Sequence, residues 1–134
     1  MNSFYRILYV EDDLLSYGLI KAHMERFEGI HLIWADNPAE VDSLRDLHFD
    51  LILCDGQITG WPNHLDAMWT LFPDVHKLIY SAANEETMFR FVTKYGRADA
   101  APIVFSKTPQ GTHYLVQTIA ALSRSKLVKE AKLS

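Results

Sequence analysis

Four apolar segments of the sequence lead directly into side chains that could bind a metal ion or react. These side chains are Glu11, Asp12 and Asp13 after the segment 5–10, Asp55 after 50–54, Ser81 at the end of 76–81 and Lys107 after 102–106. Carboxylates that converge in one cleft repel one another, and a hard divalent cation with oxygen ligands neutralises them. Mg²⁺ suits such a cleft because it needs only one or two carboxylates and also accepts phosphate oxygens.

The same residue types are suited to the transfer of a phosphoryl group. An aspartate such as Asp55 can attack phosphorus as a nucleophile and form an aspartyl phosphate. Lys107 would bind the phosphoryl group as a mobile point charge, and the Ser81 hydroxyl could donate a hydrogen bond to it. Because phosphoryl transfer depends mostly on positioning and charge neutralisation, this set predicts a phosphoryl-transfer site that uses Mg²⁺.

Short apolar runs that alternate with helical patterns must hold these side chains in place. The five runs are 5–10, 31–35, 50–54, 76–81 and 102–106. The helical stretches are 13–28, 38–47, 63–72, 84–95 and a last one that begins near Pro109. This alternation predicts the α/β fold class, with a single doubly wound five-stranded parallel sheet and helices on both faces. Ligands of such sheets bind beyond the carboxyl ends of the strands, where the reactive side chains are expected to meet.

Local signals mark the ends and the apolar faces of the predicted helices. Asn37 and Pro38 provide a cap and a first-turn proline. Asp13 is assigned to the acidic first turn of the first helix and not to the metal site. Apolar side chains at helical spacing, including Leu15, Leu19 and Leu47, are expected to form the helical faces that meet the core.

The composition is that of one globular domain. The chain has 134 residues, of which 49% are hydrophobic and 22% charged, values typical of a single folded domain. A net charge of −4 argues against nucleic-acid binding, and no run resembles a signal peptide or a membrane span. The single cysteine, Cys54, is expected to be a core residue, and the six histidines lack metal-ligand spacing and are expected to be surface or structural. We therefore expect a cytoplasmic protein.

Over roughly residues 5–123 the sequence resembles the receiver domains of two-component response regulators. The resemblance rests on the residues that follow the apolar runs: the acidic cluster Glu11-Asp12-Asp13, Asp55, Ser81-Ala82 and Lys107. The interval from Asp55 to Lys107 (107 − 55 = 52) is normal for that family. The resemblance implies the strand order 2-1-3-4-5. It also implies a receiver domain over 1–123, followed by a basic extension of the last helix or a tail at 124–134.

The resemblance also implies a role for each site residue. Asp55 would be the phosphoacceptor, and Asp12 and Asp55 would be direct ligands of Mg²⁺. Glu11 would act through a metal-bound water, and the backbone carbonyl of Gln57 would complete the protein ligands. Two more residues would contact the phosphoryl group, namely Ser81 as the switch hydroxyl and Lys107.

Three positions depart from the pattern of the family. Thr59 stands where receivers usually have a proline, four residues after the phosphoacceptor. Thr108 stands where a proline usually follows the lysine, and Val104 stands where a Tyr or Phe often swings on phosphorylation. The site chemistry is therefore expected to be intact, whereas the coupling to the output face is expected to be unusual.

The function implied by the resemblance is a phosphorylation-dependent signalling switch. A partner histidine kinase or phosphotransfer protein would phosphorylate Asp55 and so alter a protein-binding face formed by the helix over 84–95 and the last strand. The domain would not be an enzyme, beyond self-phosphorylation from small donors and autodephosphorylation. Its output would be contact with a downstream protein target, or the chain would be a piece of a larger protein. A homodimer through the last helices is a further expectation, whereas contact with nucleic acid or a membrane is not expected.

Two alternatives remain open at this point. The segment 55–59, DGQIT, also resembles the first motif of haloacid-dehalogenase-like phosphatases. Gln57 replaces the second aspartate of that motif, which is the general acid/base, and the acidic pair precedes the nucleophile instead of following it. The other alternative is a degenerate receiver that acts as an unphosphorylated binding module.

Overall fold

A computed structural model describes residues 4–82, 86 and 103–133. Its strands are β1 (Tyr5–Val10), β2 (Ile30–Ala35), β3 (Leu51–Asp55), β4 (His76–Ser81) and β5 (Ile103–Ser106). They form one parallel sheet in the order β2-β1-β3-β4-β5. The predicted α/β class, the parallel sheet and the implied strand order are confirmed.

The helices of the described residues are α1 (Leu14–Met24), α2 (Pro38–Leu44), α3 (His64–Leu71) and α4 (Pro109–Leu133). The helix predicted over 84–95 lies outside the described residues. The predicted Asn37 cap forms, since its side chain accepts a hydrogen bond from the Glu40 N–H at 3.0 Å. Asp13 is the N-cap of α1 and not a residue of its first turn, and it accepts from the Ser16 N–H at 3.1 Å. The hydrogen bonds from Ser16 also lower the pKa of Asp13.

The sheet is buried on both faces, as the continuous apolar strands predict. One face packs against α2 and α3, and its core includes Ile52, Cys54 and Met68. The other face packs against α1 and α4, and its core includes Leu53 and Leu115. Every residue of β3 is buried, so the strand that ends in the Asp55 carboxylate is fixed on both sides.

Three of the predicted core positions on the helices are wrong. Leu15, Leu19 and Leu47 are 82%, 47% and 43% exposed. In α1 the apolar residues are spread over more than one face, and the face that carries Ile20 and Met24 is the one that packs against the sheet. Leu47 lies beyond the end of α2, because the helix ends at Leu44.

A buried lysine donates hydrogen bonds to backbone carbonyls at and beyond the end of α3. Lys77, in β4, is 6% exposed. Its Nζ donates hydrogen bonds to the carbonyls of Phe72 and Val75 at 2.5 and 2.7 Å, and it lies 5.1 Å from the centroid of the Trp69 ring. Carbonyls at a helix C-terminus have no partner within the helix, so a cation there is favourable.

Helix α4 extends past the sheet and contacts its amino-terminal edge. Lys126 Nζ lies 2.9 Å from the Phe4 carbonyl and 3.0 Å from Asp50 Oδ2. The same carboxylate oxygen accepts a hydrogen bond from the Arg6 N–H at 2.8 Å. The helix therefore holds the beginnings of β1 and β3 together.

Candidate functional site

Three carboxylates meet at the carboxyl edge of the sheet. Glu11 directly follows β1, Asp12 comes next, and Asp55 is the last residue of β3. Because β1 and β3 are neighbours and parallel, their ends lie side by side. One carboxylate oxygen from each residue lies within 4.8 Å of the other two. The structure thus brings together the acids that the sequence singled out.

Lys107 reaches this cluster from the end of β5. Its Nζ lies 2.6 Å from Glu11 Oε1 and 3.5 Å from Asp55 Oδ1. Burial works against the charge of the lysine, but the carboxylates of Glu11 and Asp55 outweigh it and raise the pKa of Lys107. The Lys107 N–H also donates to the carbonyl of the buried Ser81 at 2.9 Å. The lysine and the serine therefore stand at the same edge as the acids.

Glu11 is the most constrained of the three acids. Its side chain is fully buried, and Oε1 accepts a hydrogen bond from the Tyr9 hydroxyl at 3.0 Å. Burial and the neighbouring Asp55 raise the pKa of Glu11 to about 8, although Lys107 acts in the opposite direction. Its Oε2 is buried without a hydrogen-bond partner within the described part of the chain. A buried, unpartnered carboxylate oxygen is destabilising unless a cation or a water satisfies it.

This donor set fits Mg²⁺. The ion prefers hard oxygen ligands, uses few carboxylates and keeps several waters. The acid cluster offers carboxylate oxygens at close range, and the unpartnered Glu11 Oε2 could accept a hydrogen bond from a metal-bound water. Gln57 is an exposed residue of the loop next to these acids, and its N–H is 3.4 Å from Asp55 Oδ1.

The loop after Asp55 contains an interaction that the sequence analysis missed. The Thr59 N–H donates a hydrogen bond to Asp12 Oδ2 at 3.1 Å. A proline has no N–H and could not make this contact. The departure at Thr59 therefore gives Asp12 a backbone donor that the usual proline cannot supply.

His64 was missed as a residue of the site. Its imidazole is fully buried, and Nε2 lies 2.6 Å from the Asp55 carbonyl oxygen. Nδ1 lies 3.1 Å from the carbonyl oxygen of Trp61. The spacing of the six histidines carries no signal for this position, because the contact depends on how the loop folds back onto β3.

The other two departures are Val104, inside β5, and Thr108, after the end of β5. The Thr108 side chain begins α4, where its Oγ1 accepts the Gly111 N–H at 3.0 Å. Val104 is half-buried against the core on the α2/α3 face, and the neighbouring Phe105 is half-buried against the α1/α4 core. A threonine N-cap thus starts the helix where receivers usually have a proline.

The fold has many counterparts among solved structures. A receiver domain protein from Methanospirillum hungatei is 23% identical, with a TM-score of 0.70, and the match covers 98% of this chain and 100% of that one. A response regulator from Thermotoga maritima is 22% identical, with a TM-score of 0.68, covering 90% and 98% of the two chains. The chain has the fold of a response-regulator receiver domain.

A third counterpart of the receiver fold is an activated dimer. The beryllofluoride-activated NtrC4 receiver domain dimer is 21% identical, with a TM-score of 0.68, and the match covers 91% of this chain and 98% of that one. Neither a family model nor a curated protein matches the sequence.

Among the residues that the structure describes, no helix has both the length and the apolar character needed to cross a bilayer.

Proposed function

We propose that the protein is a phosphorylation-dependent signalling switch. In this role Asp55 accepts a phosphoryl group from a histidine kinase or a phosphotransfer protein. The observation that carries the proposal is the position of Lys107 Nζ, 2.6 Å from Glu11 and 3.5 Å from Asp55, beside an acid cluster on the receiver fold. In this arrangement the lysine on one side, and a divalent cation held by the carboxylates on the other, would neutralise the charge of a phosphoryl group.

The phosphoryl transfer follows from the groups at this edge. A carboxylate oxygen of Asp55 attacks phosphorus, and a new P–O bond forms as the P–N bond of the donor phosphohistidine breaks. The electron pair of that bond stays on the donor imidazole, which takes up a proton. Lys107 contacts a phosphoryl oxygen, and the Ser81 hydroxyl donates to another.

The metal ligands of this proposal are those that the resemblance implies. The carboxylates of Asp12 and Asp55 and the carbonyl of Gln57 would hold Mg²⁺, and Glu11 would bind through a water. When bound, the ion neutralises charge on the phosphoryl oxygens. The hydrogen bond from Thr59 to Asp12 supports this assignment, since it orients a carboxylate that would be a ligand.

In this proposal phosphorylation alters a protein-binding face that contains β5. Since the Lys107 N–H is bonded to the Ser81 carbonyl, movement of either residue toward a phosphoryl group displaces the other. In this proposal residues 1–123 form the receiver unit and 124–134 its basic extension. The switch acts in the cytoplasm on a downstream protein target, does not catalyse multiple turnovers, and can dimerise through its last helices.

Labelling with a small phosphoryl donor tests the proposal. The protein is incubated with acetyl phosphate and Mg²⁺, and its intact mass is measured. We expect a single phosphoryl adduct that Asp55→Asn abolishes, while the control Asp46→Asn, which changes an exposed aspartate, retains it.

Other results would favour the alternatives. If the folded protein forms no adduct with acetyl phosphate or with a histidine kinase, it is a degenerate receiver that binds partners without phosphorylation. Repeated turnover of a generic phosphomonoester would identify a phosphatase.

A further inference from the structure

His64 lies at the junction between the phosphoacceptor loop and α3. It is the first residue of α3 and is fully buried. Its ring stands between two backbone carbonyls, with Nε2 2.6 Å from the Asp55 oxygen and Nδ1 3.1 Å from the Trp61 oxygen. The imidazole therefore connects the residue before the loop 56–60 to the residue after it.

The contact to Asp55 carries the proton of the ring. A carbonyl oxygen can only accept, so a separation of 2.6 Å requires the proton on Nε2. Nε2–H therefore donates to the carbonyl of the phosphoacceptor residue.

The loop that this ring spans lacks the usual source of stiffness. It carries Gly56 and Gly60, the latter with a φ of +79°, and Thr59 replaces the proline that would restrict the backbone. The loop also carries Gln57, whose carbonyl would complete the metal ligands. Something other than local backbone preference must therefore fix it.

We propose that His64 is a positioning residue that fixes the Asp55 backbone and the loop 56–60 through its Nε2–H hydrogen bond. The Thr59 N–H bonded to Asp12 is a second anchor of the same loop. Together they hold the Asp55 carboxylate and the Gln57 carbonyl at the edge where the acids meet. The consequence for Mg²⁺ rests on the proposed function, whereas the fixation of the loop does not.

Two substitutions separate the two ring contacts. The side-chain amide nitrogen of His64→Gln can reach the position of Nε2 and donate to Asp55. The shorter side chain of His64→Asn can place its nitrogen only near Nδ1, on the Trp61 side. Both variants bury an amide in place of the imidazole, so the comparison removes the general cost of losing the ring.

The first readout is amide hydrogen exchange in the metal-free protein, followed by NMR. We expect the Gln57 and Thr59 amides to exchange at wild-type rates in His64→Gln, and about tenfold faster or more in His64→Asn, which leaves the Asp55 carbonyl without its donor. The second readout is the dissociation constant for Mg²⁺ alone. It should stay within about threefold of wild type for Gln and weaken by about tenfold or more for Asn.

The outcomes distinguish this inference from the proposed function. Equal exchange rates in all three proteins would overturn the role of His64 even if Asp55 is phosphorylated. Losses of amide protection that only follow the melting temperatures would overturn it as well. Faster exchange in His64→Asn alone supports it even if Asp55 accepts no phosphoryl group. If the variants do not fold, ¹⁵N shifts of the wild-type imidazole decide, because protonation at Nδ1 instead of Nε2 contradicts the proposed hydrogen bond.

Discussion

Glu11 makes the stability of the metal-free protein depend on pH. Its pKa is about 8 in the folded protein, against an ordinary value of 4.5. Between these values the folded state holds a proton that the unfolded state has released, so raising the pH destabilises the fold. The contribution of this proton on Glu11 to the free energy of unfolding is fully present below pH 4.5 and is lost as the pH rises through about 8.

The size of the effect follows from that difference in proton binding. One proton bound only in the folded state changes the free energy of unfolding by about 1.4 kcal/mol per pH unit. From about pH 5.5 to about pH 7.5 the wild type should therefore lose roughly 2–3 kcal/mol through this residue. The cause is the burial of Glu11 beside Asp55, which Lys107 offsets only in part.

Urea unfolding with a chelator present, at a series of pH values, measures the effect. Other groups titrate in the same range, so the informative quantity is the difference between the wild type and Glu11→Gln, whose side chain cannot titrate. We expect the wild type to become less stable relative to Glu11→Gln as the pH rises. Saturating Mg²⁺ should reduce this pH-dependent loss of stability, because a metal ion competes with the proton. Parallel pH profiles for the two proteins without metal would refute the reasoning.

Further predictions concern packing and accessibility. Gly111→Ala should destabilise the fold by about 1–3 kcal/mol, because the new Cβ would overlap the last residue of β5; Gly18→Ala, with open space around it, should stabilise it by about 0.5–1 kcal/mol. Melting temperatures check both, and equal shifts would contradict the packing at the start of α4. Lys77→Met should cost about 1–3 kcal/mol by removing two buried hydrogen bonds from a cation to the carbonyls of Phe72 and Val75, whereas Lys21→Met, at an exposed lysine, should change the melting temperature little. Burial raises the pKa of the Cys54 thiol to about 12, so a disulfide reagent should modify it only after unfolding.

The sequence predicts the sheet because buried strands leave a strong signal. Apolar runs that end in charge identify β1 and β3 together with the acids at their carboxyl ends. Gly29, with a φ of +81°, separates α1 from β2 where the helical pattern stops. The positions of Glu11, Asp55 and Lys107 follow from the strands alone, since parallel neighbours must end at the same edge.

The rest of the site depends on contacts that have no pattern along the chain. His64 contacts Asp55 only because the intervening loop turns back, and Lys77 contacts the Phe72 carbonyl at the end of α3 only because the chain turns there into β4. The exposure of Leu15 shows a different limit. Apolar spacing identifies a helix, but it does not decide which of several apolar faces meets the sheet.

The contacts of Lys126 constrain the order in which the chain can complete its fold during synthesis. Its partners, the Phe4 carbonyl and the Asp50 carboxylate, lie 122 and 76 residues earlier in the sequence. The strands that begin at these partners are made long before the lysine leaves the ribosome, and a chain emerges amino-terminus first. The amino-terminal edge of the sheet therefore gains its bridging cation last, after all five strands have been synthesised.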